Sequence, residues 1–170
     1  MILWHLGVTL ILFIWIYKDT NADLRFLLIG SLIPDIVDKL LYLLVITDNS
    51  RTYGHTLIFA VGFLFLIMIG TKKNSTTRKN YLLIPIALFF HLLLDEMWMF
   101  NETLFWPLFD GAFSQNFSSA NSLVELFVIS IGKTEIIVKE IIGVVFLLLA
   151  LNKEMNFKKN LLNLIKYGKY

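Results

Sequence analysis

Two residues inside the apolar run "LFFHLLLDEMWMF" (88–100), His91 and Asp95, carry side chains that ligate metals and move protons. Four residues apart on a helix, they project from one face about one turn apart. A second run, "GSLIPDIVDKLL" (30–41), puts Asp35 and Asp38 three residues apart and Lys39 four after Asp35, again on one face. His5 lies in the first apolar segment, and His55 follows "NSRTYG" (49–54). These are all three histidines of the chain, and cysteine is absent. Imidazoles and carboxylates without thiolates suit one or two divalent cations, zinc first, with manganese or iron accepting the same ligands. Lys39 and Arg51 are candidates to hold the anionic group of a substrate. Glu96 points about 100° away from Asp95 and is a weaker candidate.

Each residue also has an ordinary structural role open to it. His91 alone could be a hydrogen-bonded core residue, Asp35 and Lys39 a buried ion pair, and His55 a helix cap. Their joint occurrence in an apolar chain favours a shared site, because ionisable groups at membrane depth usually face a bundle interior and mark function.

The elements that must carry these residues are apolar. Of 170 residues, 57% are hydrophobic and 16% charged, with a mean hydropathy of +0.71. A soluble domain carries about a quarter charged residues. Five segments, Met1–Tyr17, Phe26–Ile46, Thr56–Gly70, Tyr81–Phe100 and Ile136–Leu151, approach the 17–25 residues a spanning helix needs. The sequence predicts an all-α, polytopic bundle of about five transmembrane helices over residues 1–151. Residues 152–170 form a basic amphipathic tail, with Phe157, Leu161, Leu164 and Ile165 on its apolar side. The apolar stretch Leu123–Ile131 is too short to span and suits a re-entrant helix or the start of the last one.

The net charge, +2, does not suggest nucleic acid; its distribution is more informative. Lys18 and Arg25, then Lys72, Lys73, Arg78 and Lys79, then the lysines after Leu151 fall in alternate connections. The positive-inside rule places these in the cytoplasm, the N-terminus outside and the C-terminus inside. The first segment has no basic start or small-residue cleavage site and is read as a retained helix. With that orientation His5, Asp35, Asp38, His55, His91 and Asp95 share one depth, in a pocket open to the outer side. The aromatic stretch 97–113 follows at headgroup level, and Trp106–Pro107 suits a lid.

The blocks "GSLIPDIVDK", "RTYGHTL", "HLLLDEMW" and "LFWPL", in that order, resemble the membrane-bound metal-dependent hydrolase family, which includes LexA-regulated inner-membrane-associated hydrolases of bacteria and archaeal relatives. The resemblance runs to about Phe113. It implies a small helical bundle in which His5, Asp35, Asp38, His55, His91 and Asp95 are the metal ligands, with Lys39, Arg51 and Trp106 beside the substrate. Where the family often has a histidine before the arginine, this chain has Ser50, which leaves the number of metals open.

The expected function is therefore a multi-pass hydrolase of the cell membrane, its site on the extracytoplasmic side. It would cleave a phosphoester of a lipid or lipid-linked substrate with metal-activated water. Asp35, Asp38, His91 and Asp95 are the expected catalytic group, and the bundle is compatible with a homo-oligomer. A proton- or metal-ion-coupled transporter is the alternative. The absence of an internal repeat and the small number of spans weigh against it. A non-catalytic scaffold would leave the clustering without a reason.

Overall fold

A computed structural model describes residues 1–17, 22–44, 46–47, 49–114, 133–152 and 157–169. Leu123–Ile131, Lys18 and Lys153 lie outside them. All regular structure among the described residues is helical: α1 (Ile2–Tyr17), α2 (Leu24–Gly30), α3 (Ile33–Leu43), α4 (Leu57–Gly70), α5 (Thr76–Tyr81), α6 (Leu83–Leu94), α7 (Asn101–Leu104), α8 (Thr134–Leu151) and α9 (Phe157–Tyr167), with 3₁₀ turns at Tyr53–His55 and Met97–Met99.

Local chemistry sets the boundaries. Asp23, Thr56 and Ser75 cap α2, α4 and α5, each side-chain oxygen accepting a first-turn N–H. Pro34 opens α3 and lacks the N–H that would continue α2 into it, so the apolar stretch 26–46 becomes two helices meeting at Ser31–Leu32. Stretch 81–100 also stops early: α6 ends at Asp95, and Glu96 turns left-handed at φ 55°.

These breaks change the expectation of five uninterrupted spans. No helix among the described residues is both long and apolar enough to cross a membrane. At 1.5 Å per residue, the 16 residues of α1 rise about 24 Å, short of the roughly 30 Å hydrocarbon core. The longest helix, the 18-residue α8, carries Glu135, Lys139 and Glu140.

α1 and α8 run the same way, with Leu3 beside Glu140 and Gly7 against Gly143, and with Phe13 and Leu151 in one apolar cluster. A Cβ on Gly7 would run into the Gly143 carbonyl, and one on Gly143 into the Leu3 carbonyl, so the two backbones touch. Gly143→Val is expected to push α1 away and lower stability by about 1–3 kcal/mol, the usual cost of overpacking. A thermal melt in detergent against Val144→Ala, at a more exposed neighbour, measures it.

Two apolar clusters form the core. One joins α1, α2, α6, α8 and α9 through Leu10, Phe13, Leu27, Ala87, Ala150 and Leu164; the other holds Ala60, Leu88, Leu92 and Met97. The tail helix α9 is docked rather than detached: Leu164 is buried, and the Gly168 carbonyl accepts from Leu24 N–H at 2.8 Å. Outward faces stay apolar, with Trp15 72% and Ile69 83% exposed. Such surface marks contact with lipid or protein.

Candidate metal centre

The polar residues converge beyond the first apolar cluster, at the end of the bundle formed by the start of α1, the α2–α3 break, the 49–56 loop and the end of α6. The break matters directly. The Ser31 carbonyl, left at the junction of α2 and α3, accepts a hydrogen bond from His91 Nδ1 at 2.7 Å. A carbonyl only accepts, so His91 Nδ1 carries the proton and its Nε2 presents a lone pair when the ring is neutral.

His55 is set the same way by a different partner. Its Nδ1 donates to Asp38 Oδ2 at 2.7 Å. Asp38 is fully buried and also accepts from Thr52 N (2.6 Å), Thr52 Oγ1 (3.0 Å) and Gly54 N (2.7 Å). The loop fits tightly here: a Cβ on Gly54 would stand 2.6 Å from the Pro34 carbonyl oxygen and 3.0 Å from Asp38 Oδ1. Only glycine lets the loop wrap the carboxylate this closely.

The two imidazoles therefore aim Nε2 at one point. These nitrogens are 3.1 Å apart. Asp95 Oδ2 lies 3.3 Å from His55 Nε2 and 3.8 Å from His91 Nε2, and Asp35 Oδ1 lies 3.9 Å from His55 Nε2. One ligand atom from each of Asp35, His55, His91 and Asp95 falls within a 4.8 Å group. Both Asp95 oxygens and Asp35 Oδ2 are buried without a well-formed hydrogen bond. Buried acceptors of that kind call for a cation or a water.

The six expected ligands thus divide by position. Asp35, His55, His91 and Asp95 converge. Asp38 stands behind His55, on the far side of the ring from the shared point, and orients it. His5 reaches Asp95 Oδ1 at 3.0 Å and stacks on His91 with ring centroids 4.0 Å apart. It holds the opposite oxygen of Asp95 from the one facing His55, and its own Nδ1 is buried without a hydrogen bond.

The expected substrate contacts also separate. Arg51 lies 2.8 Å from Asp95 Oδ2, and Lys39, 43% exposed, lies 3.4 Å from Asp35 Oδ2. Both border the cluster. Trp106 sits further out: its Nε1 donates to the Gly111 carbonyl at 2.9 Å, and its ring meets Tyr53 edge-on at 5.1 Å. With Phe113 it covers the Tyr53–His55 turn.

Sequence reasoning missed the backbone and α8. Ser31 acts through its carbonyl and Gly54 through its N–H, and neither leaves a side-chain signal. Lys139 pairs with Glu96 at 3.1 Å, bracing the left-handed residue after Asp95, and Glu140 accepts from Leu3 N–H at 2.9 Å, capping the first turn of α1. The signal was three charges, Glu135, Lys139 and Glu140, in an otherwise apolar helix.

A family model described as YdjM inner membrane protein matches residues 1–159. It includes every residue of the cluster. No curated protein and no solved structure matches the chain.

Proposed function

The chain belongs to the YdjM inner membrane protein family, and we propose that it is a membrane-embedded, metal-dependent phosphoesterase acting on a lipid or lipid-linked substrate. One observation carries the metal: two imidazole Nε2 atoms 3.1 Å apart, each with its Nδ1 committed elsewhere. Nε2 of His55 and Nε2 of His91 would be the imidazole atoms that hold a cation, with Asp35 and Asp95 supplying the carboxylates. The donor set fits zinc, manganese or iron.

When bound, such a cation supplies Lewis-acid activation of water and of a phosphoryl group. The protein's own groups do the rest. Asp38 and Ser31 fix the imidazole tautomers. Arg51 and Lys39, at the rim, are placed to exchange their carboxylates for phosphate oxygens once the carboxylates face a metal. His5 holds Asp95 in register. The aromatic cover of Tyr53, Trp106 and Phe113 keeps water from the His55 side.

The membrane part of the proposal rests on the exposed apolar faces and on polarity along the axis. The cluster stands before the start of α4 and at the end of α6, while Lys72 and Lys73 follow the end of α4 and Arg78 and Lys79 precede the start of α6. The bundle would then span with its cluster toward the outer side, its short helices matched by local thinning and by snorkelling lysines.

The test is metal content and phosphate release from lipid phosphoesters by the protein in detergent. Wild type is expected to hold metal and release phosphate. His91→Ala is expected to lose at least about 100-fold in turnover, beyond the 10–100-fold typical of residues behind the ligands. Equal release by the variant, or a wild type that binds metal yet hydrolyses no phosphoester offered, rejects the hydrolase.

A further inference from the structure

A groove of about 610 Å³ lies away from the metal cluster, between α1, α2, α8 and α9. Leu3 and Leu6 line one side, Leu28 and Ile29 another, and Leu147 and Leu161 the rest. Its volume falls within the range of small-molecule sites. Its lining supplies almost no polar atom, so water has nothing to hold it there. A peptide strand would bring N–H and C=O groups without partners. A hydrocarbon chain brings no polar group that needs a partner.

One end of the groove is charged. Arg25 is its single cationic lining residue. Its guanidinium is 45% exposed and gives three of its five N–H donors to Asp23 and the Lys166 carbonyl among the described residues. Asp23, held below the ordinary carboxylate range by the Arg25 hydrogen bond and by the nearby Lys169 charge, is the one acid at this corner among the described residues. Arg25, Lys166 and Lys169 outnumber it. The corner therefore keeps a net positive charge and spare donors beside the end of an apolar slot.

We propose that this groove is a second lipid site, which seats one hydrocarbon chain of an anionic phospholipid with its phosphate at the Arg25–Lys166 corner. The occupant is not the substrate in a reacting pose, because its phosphate lies at the opposite end of the bundle from His55 and His91. It ties α9 to α1, α2 and α8. The site rests on the membrane embedding proposed above and not on hydrolysis.

Native mass spectrometry of the full chain in detergent tests it, after exchange into equal amounts of phosphatidylglycerol and phosphatidylcholine. Wild type is expected to retain one lipid per chain, with phosphatidylglycerol enriched at least about fivefold. Ile29→Trp and Leu148→Trp fill the groove from positions 55% and 47% exposed, where a larger side chain leaves the core intact. Both are expected to lose the retained lipid while keeping the metal content of wild type. Arg25→Gln is expected to keep a lipid but without preference between the two. Retention at the bulk ratio in wild type, no retained lipid, or undiminished retention by both tryptophan variants overturns the site. Failure of phosphate release leaves each of these outcomes readable.

Discussion

Asp95→Asn is expected to abolish stoichiometric divalent-metal binding and, with it, any phosphate release. Asp95 is the one side chain within ion-pair distance of His5, Arg51, His55 and His91 together. Its carboxylate is the negative charge that all four of these groups face. Asparagine keeps the shape and one acceptor for Arg51 but removes the charge and turns a donor toward His5 or His55. The loss should exceed the 10–100-fold seen when a residue behind the ligands is changed. The readouts separate folding from binding. Wild type at a metal concentration 100 times its Kd should gain about 2.7 kcal/mol of stability, and a chelator should remove it. The variant should melt like chelated wild type and gain nothing from metal. One equivalent of metal bound with wild-type affinity would sink the assignment.

The prominence of Asp95 was legible in the sequence, and so was its pairing with His91, because a four-residue spacing in an apolar run fixes both on one helical face. Pro34 predicts a kink that frees the carbonyl of Gly30; the structure breaks the helix at Ser31–Leu32, and the carbonyl put to use, by a residue sixty positions away, is that of Ser31. Asp35 and Asp38 looked alike for a related reason. Both are aspartates on one face of α3, and their roles diverge only through the 52–55 loop, which closes on Asp38 alone. Helix length was overread. The apolar stretch 26–46 has the composition of a span, but composition does not reveal where the hydrogen-bond ladder stops. The charges of α8 were visible and unassigned, since their partners Leu3 and Glu96 come together only when α8 lies beside α1.

That divergence gives the second large effect. Asp38→Asn is expected to weaken metal binding about 10–100-fold while leaving the four ligands in place. Asp38 accepts four hydrogen bonds, from Thr52 N, Thr52 Oγ1, Gly54 N and His55 Nδ1. An amide can orient only one oxygen. If the oxygen takes the Oδ1 place it keeps Gly54 N and Thr52 Oγ1, and the NH₂ then faces Thr52 N and His55, driving the imidazole to the tautomer with hydrogen on Nε2. The lone pair is then lost from the shared point, and the Nε2–H aims at His91. If the oxygen takes the Oδ2 place it keeps His55 and Thr52 N, and the NH₂ faces the Gly54 N–H, at about 1–3 kcal/mol for the group left unpaired. Either orientation costs affinity or stability, and the two are told apart by titrating metal into the chelated variant and by the ¹⁵N shifts of His55. Asp38→Glu is expected not to rescue, because the longer side chain cannot keep the 2.6–3.0 Å contacts to the loop and ring. A loss as complete as that of Asp95→Asn would make Asp38 a ligand after all. Unchanged affinity with an unchanged tautomer would mean that His55 is held by the loop without it.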